Sequence, residues 1–303
     1  MPKQLSGKQF GLANCTGKYI SWMVKGNAET IIGIGRHRKH RWHLRSLSFT
    51  SEDSVNNVAH LLADVINGCT NRPRSLLVFV NPYGGKRQAV SVYNRWVKPL
   101  FTFCGIRIEL VVTEYANHAL TEYANHAREL LLTDNIVNEV DGVVTVGGDG
   151  LFSEALQALI IRSQLESDVD YRNKDSNTLV TPEKIIGLIP AGSTNALNYT
   201  LHGNSDVLTS VLHIVQGDTI KIDVCSVHSD DDLRGYACCS VSFGYLGDVL
   251  RHSELLRRFG PVRYMMSGAK IMLRNRSYTG TLCYSGEKLE PDTQSQIPRC
   301  ESK

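Results

Sequence analysis

Asp149 sits among glycines in Val143–Glu154, VVTVGGDGLFSE. An apolar, β-branched run ends abruptly in Gly147-Gly148-Asp149-Gly150, and an amphipathic helical pattern starts at once. Strand, glycine turn and helix, in that order, present backbone N–H groups and a carboxylate at the carboxyl end of a parallel strand. Glycine lets the chain approach a phosphate where a Cβ would clash. A carboxylate there can take the proton from a hydroxyl that attacks the phosphate. A turn that only caps a helix is the plainer reading of these four residues. Three further segments, each following a strand-like run, argue for the chemistry. They are Asn81-Pro82-Tyr83-Gly84-Gly85-Lys86 after Ser75–Val80, Thr113-Glu114 with Asn117 after Ile106–Val112, and Ala191-Gly192-Ser193-Thr194-Asn195 after Ile185–Pro190.

The elements that must position these turns alternate between strand and helix from residue 75 onward. Helical spacing covers Ala89 to about Leu100 and Leu151–Arg162, the latter with Phe152, Ala155, Leu156 and Leu159 on one face. Gln164–Glu183 is polar and reads as a surface insertion. This grammar predicts an α/β fold, an open and mostly parallel sheet whose ligand lies along one edge. After about residue 220 the pattern changes. Thr219–Val227, Tyr236–Phe243 and Tyr278–Tyr284 are strand-like, and Asp248–Leu273 is partly helical, as at the start of a second, β-rich domain.

One duplication interrupts the pattern: TEYANHAL at Thr113–Leu120 is followed directly by TEYANHAR at Thr121–Arg128. Eight residues make about 2.2 helical turns, so the copies point about 80° apart and cannot share one site. Thr113, joined directly to the strand, is expected near the ligand, with the second copy lengthening the helix or bulging out. The opposite assignment stays open.

Composition bounds the function. Hydrophobic content of 42% and charged content of 21% are those of a globular protein, and a net charge of +3 is too small to imply a nucleic-acid partner. The eight cysteines show no metal-ligand spacing and read as reduced thiols in the cytoplasm. No apolar signal region opens the chain, and nowhere do eighteen apolar residues run together. The basic run RHRKHRWHLR at Arg36–Arg45 is either a solvated strand or a patch attracted to an anionic membrane surface. His37, His40 and His43 are joined by no cysteine or carboxylate, which argues against a metal site.

Taken in order, NPYGGK, TE-x-AN, GGDG-x-x-x-E and PAGSTN resemble the diacylglycerol-kinase-like lipid kinases. The resemblance runs over about residues 31–300 and includes HRW, NRPRSLLVFVNP, VLHIVQGD and SFGYLGDVLRHSE with a following Arg-Tyr. No Walker A loop is present, so the distributed glycine turns must hold the phosphates. The resemblance implies an ATP- and Mg²⁺-dependent kinase that phosphorylates the primary hydroxyl of ceramide, working in the cytoplasm and peripherally at membranes. Asp149 would be the general base, with Gly147, Gly148 and Gly150 placing it at the substrate. Asn81, Pro82, Tyr83, Gly84, Gly85 and Lys86 would line ATP, together with Thr113, Glu114, Asn117, Gly192, Ser193 and Thr194. Glu154 would position the nucleotide directly or through Mg²⁺, and Arg257 and Arg263 would reach its phosphates. No residues are assigned to a metal site of the protein itself. Sphingosine kinases, in the same superfamily, carry a carboxylate at the position of Leu250. An apolar residue there favours a neutral, acylated sphingoid base, because an unpaired buried carboxylate is costly. The implied domains are a pleckstrin-homology-like remnant within 1–70, a catalytic domain at 71–219, and an incomplete antiparallel β-sandwich at 220–303. The chain is therefore expected to be a fragment truncated at both ends.

Overall fold

The computed structural model describes residues 22–24, 30–36, 41–48, 71–113, 126–172, 179–229, 232–256 and 259–281. Most of the pleckstrin-homology-like remnant expected within 1–70, His37 and His40, Glu114, Asn117, Arg257 and the segment from 282 onward lie outside the described residues.

Four parallel strands form the central sheet: β4 (Ser75–Val80), β5 (Arg107–Val112), β6 (Gly142–Gly147) and β7 (Ile185–Pro190). Their order in the sheet is β5-β4-β6-β7. β4 and β6 are buried along their whole length. That is why their sequences read as unbroken apolar runs instead of alternating. Leu76, Val78 and Val80 face one layer, in which α1 (Ala89–Val92), a π-helical turn (Tyr93–Val97), α2 (Lys98–Phe103) and α6 (Val207–Gln216) pack. Leu77 and Phe79 face the other, against α3 (His126–Thr133) and α4 (Asp149–Glu166). The π-helical turn falls just before Pro99, which has no N–H to give the preceding turn.

The chain goes from β4 outward to β5, then returns across β4 to β6. The loops leaving β4 and β6 therefore diverge to opposite faces and open a crevice between their carboxyl ends, the place where such sheets bind ligands. α4 also carries a third cluster, where Phe152, Leu156 and Ile160 meet Leu188, Leu197 and Tyr236. Through it the sheet domain joins the small ladder of β8 (Cys225–Ser229) and β9 (Asp232–Ala237). α5 (Ala196–His202) and the hairpin of α7 (Tyr245–Glu254) and α8 (Val262–Leu273) complete these elements. An antiparallel sheet of β1 (Trp22–Val24), β2 (Thr30–Arg36) and β3 (Trp42–Ser48) docks through Trp42, whose N–H donates to Thr209 Oγ1 on α6 at 2.9 Å.

Two expectations need correcting. The strand-like run Tyr236–Phe243 ends as ladder at Ala237, and Tyr278 to residue 281 has no regular structure. Without a pairing strand among the described residues, β propensity alone does not make a ladder. Gln164, expected on the surface, is fully buried. Its side-chain amide accepts from Val180 N at 2.8 Å and donates to Val180 O at 2.7 Å, so it anchors the far end of the insertion.

Candidate active site

Backbone bonds continue the ladder one residue past each strand and so fix where every loop begins. Thr113 N–H donates to Val80 O at 2.9 Å, Asn81 N–H to Val146 O at 3.2 Å, and Ala191 N–H to Gly147 O at 2.7 Å. Asn81 Oδ1 then accepts from Tyr83 N and Gly84 N at 2.9 and 3.1 Å, an Asx turn that folds NPYGGK back over the sheet edge. Gly85 takes φ +55°, and a Cβ on it would lie 2.6 Å from the Gly192 carbonyl carbon and 2.7 Å from Ser193 N. Gly192 itself rests on Gly148, whose Cα would overlap any Cβ at position 192. Three of the glycine turns singled out in the sequence are thus in backbone contact at the switch point. Lys86 and Thr194 are exposed beside them, and Pro82 and Ser193 are half-buried.

Asp149 opens α4, where an acidic side chain suits the positive end of the helix dipole. Its carboxylate crosses to the neighbouring loop: Oδ2 accepts from Ala196 N at 3.1 Å and Oδ1 from Leu197 N at 3.0 Å. Asp149 therefore caps α5 and ties the GGDG turn to PAGSTN. Each carboxylate oxygen has two lone-pair sites, so a single N–H on each leaves acceptor capacity for a substrate hydroxyl. Gly150 is exposed and open. The Cys238 thiol lies near enough that burial, then Cys239, then the Asp149 charge push its pKa up.

Glu154 sits one turn further along α4, with Oε1 accepting from Arg128 N at 3.3 Å. Burial raises its pKa, opposed by the N–H groups of Arg128 and Ala127 and by the Arg128 charge. Those residues end the second TEYANHA copy and open α3. Thr113, from the first copy, is buried at the end of β5 with its hydroxyl 3.4 Å from Val80 O. Arg263 lies on α8, paired with Glu254 at 3.3 Å.

Among the described residues no three His, Cys, Asp or Glu side chains converge on a metal. The carboxylates at hand, Asp149 and Glu154, fit Mg²⁺ as an ion carried mainly on nucleotide phosphates, the usual arrangement for a hard ion that dehydrates reluctantly. Among the described residues, no helix is long and apolar enough to cross a membrane.

Asn195 belongs to the PAGSTN turn but not to the residues the resemblance assigns to ATP. It adopts a left-handed conformation (φ +52°) and its Oδ1 accepts from Gly192 N at 2.8 Å, closing the loop beneath the Asp149 contact. Asn before an apolar helical run reads as a cap, but its side chain makes no cap bond here and turns back to Gly192.

Residues 75–227 match the diacylglycerol kinase catalytic domain family. The ceramide kinase of Homo sapiens is 41% identical over 266 residues, covering 86% of this chain and 47% of that protein. Ceramide kinase 1 of Caenorhabditis elegans is 35% identical over 268 residues, again 86% and 47%. Sphingoid long-chain bases kinase 1 of Arabidopsis thaliana is 33% identical over 207 residues, 68% of this chain and 24% of that one. The chain spans about half the length of the ceramide kinases it matches.

Proposed function

The chain belongs to the diacylglycerol kinase catalytic domain family, and on that premise we propose that it carries the catalytic half of an ATP-dependent lipid kinase acting on ceramide. The observation that carries this reading is the Asp149 carboxylate at the end of β6, bonded to the segment after β7 whose Gly192 touches Gly148 and Gly85 beside the switch-point crevice. ATP lies along NPYGGK and PAGSTN, its phosphates against backbone N–H groups that glycine leaves uncovered. The lipid's primary hydroxyl gives its proton to Asp149 while its oxygen attacks the γ-phosphorus. The bond from that phosphorus to the β-bridging oxygen breaks, and ADP leaves. When bound, Mg²⁺ would supply positive charge to the phosphates, with Asp149 and Glu154 the carboxylates at hand to hold it. Thr113 and Glu154 hold the nucleotide's other side, and Arg263 meets developing negative charge with a planar guanidinium.

Ceramide is the substrate proposed, since Leu250 on α7 offers no carboxylate to a free sphingoid amine. The relatives named ceramide kinase support the same choice. The test is transfer from labelled ATP to short-chain ceramide by the protein, with sphingosine and diacylglycerol as parallel acceptors. Asp149→Asn should lower kcat by about 10²–10⁴ with the fold intact. No labelled lipid from the parent protein, or an Asp149→Asn variant as fast as the parent, would sink the proposal. A second reading, lipid binding without turnover, is favoured by α8, whose Val262, Met265, Met266, Met272 and Leu273 are all exposed. That reading requires liposome binding with no phosphorylated product.

A further inference from the structure

The turn before α8 reaches the proposed nucleotide cleft. Gly260 faces the Gly85 carbonyl oxygen, which is 3.9 Å from where a Cβ on Gly260 would stand. Arg263 N–H donates back to Gly260 O at 3.2 Å, so this arginine starts its helix beside the NPYGGK turn. Its side chain is only 14% exposed. A guanidinium buried to that degree needs a counter-charge, and among the described residues Glu254, at the far end of α7, supplies one. Arg263 Nη2 lies 3.3 Å from Glu254 Oε1 and donates to Tyr264 OH at 2.7 Å. The guanidinium carbon also stands 4.7 Å from the Tyr264 ring centroid. Arg263 Nε, by contrast, is buried with no partner among the described residues. A donor in that state is costly unless an acceptor arrives to take its hydrogen bond.

We propose that Glu254 is a positioning residue: its carboxylate holds Nη2 of Arg263 and so sets the guanidinium plane that offers Nε to a phosphate oxygen of ATP. This rests on the nucleotide-binding reading of the cleft given above. Glu254 touches no substrate and acts through the arginine. Tyr264 stacks beneath and limits rotation, so the arginine meets the nucleotide with its geometry already fixed, the condition under which a charge stabilises a transition state without reorganising.

The experiment uses the full-length protein and two readouts, ATP binding by calorimetry and steady-state kinetics with ATP and lipid varied separately. Glu254→Gln keeps the volume and an acceptor oxygen, and thermal melting checks its fold. It should raise the Kd and KM for ATP about tenfold, leaving the lipid KM within about twofold. The double variant Glu254→Gln/Arg263→Ala should bind ATP no more weakly than Arg263→Ala alone, because residues acting as one unit are not additive. Unchanged or tighter ATP binding by folded Glu254→Gln, or additive losses in the double variant, would overturn the assignment. If the parent protein fails to bind ATP, the nucleotide reading itself falls and takes this inference with it.

Discussion

Asp149 and Glu154 lie one helical turn apart on α4, yet their surroundings differ. Asp149 receives two backbone N–H groups from α5, whereas Glu154 is half-buried and accepts mainly from the start of α3. Burial raises the Glu154 pKa, so its ionised form is disfavoured in the folded state. A raised carboxyl contributes stability that is full below the ordinary glutamate value and is lost as pH rises through the folded value. Glu154→Gln should therefore melt no lower than the parent protein at pH 7, and its advantage should vanish as pH falls to about 4. If Glu154 serves the nucleotide, the same variant should weaken ATP binding by about tenfold. Melting curves from pH 4 to 8, set beside ATP titrations, check both halves. A variant that melts lower at pH 7 would mean that its charge is better satisfied than burial suggests.

Between elements, the site depends on loops that touch through backbone. Gly85, Gly148 and Gly192 come from the ends of three strands, and their contacts leave no room for a Cβ at Gly192. Gly192→Ala must push the PAGSTN loop away from GGDG, straining the Asp149 bonds to Ala196 and Leu197. Overpacking of this kind costs about 1–3 kcal/mol. Chemical denaturation should show that loss, and ATP affinity should fall with it. Normal ATP binding by Gly192→Ala would mean that the loops are free to separate without consequence. The three glycine-bearing motifs were legible in the chain because each follows an apolar run that ends in turn residues. Their mutual contact was not legible, since the strand order that brings β4 beside β6 has no local signature. The pairing of Asp149 with the α5 backbone was hidden for the same reason: 47 and 48 residues separate the partners.

Across the molecule, the sheet of β1–β3 is clasped to the catalytic domain by an aromatic stack. Trp42 and His213 ring centroids are 4.4 Å apart, His202 stacks on His213 at 4.8 Å, and Asp218 accepts from the His213 ring at 2.8 Å. Burial, then the neighbouring His213, lowers the His202 pKa to about 4. A depressed histidine contributes stability that is full above its unfolded value near 6.5 and is lost as pH falls toward about 4. The protein should lose at most about 3 kcal/mol across that window, and His202→Gln should flatten the dependence. Stability measured from pH 7.5 to 4 in both proteins decides it, and parallel curves would exclude His202 as the cause. The basic run around Trp42 read as a solvated strand or a membrane patch. Its tryptophan packs on Leu212 of α6 and donates its backbone N–H to Thr209, a contact made across 167 residues that no local pattern announces.

Motif order, helix spacing and the buried parallel strands were written in local chemistry, because glycine turns, caps and apolar runs act over a few residues. The crevice, the Asp149 cap on α5, the clasp at Trp42 and the Arg263–Glu254 pair came only with folding. The first three join groups far apart in the chain and depend on strand order and packing that neighbouring residues do not encode; the last, nine residues apart, depends on how the α7–α8 hairpin closes.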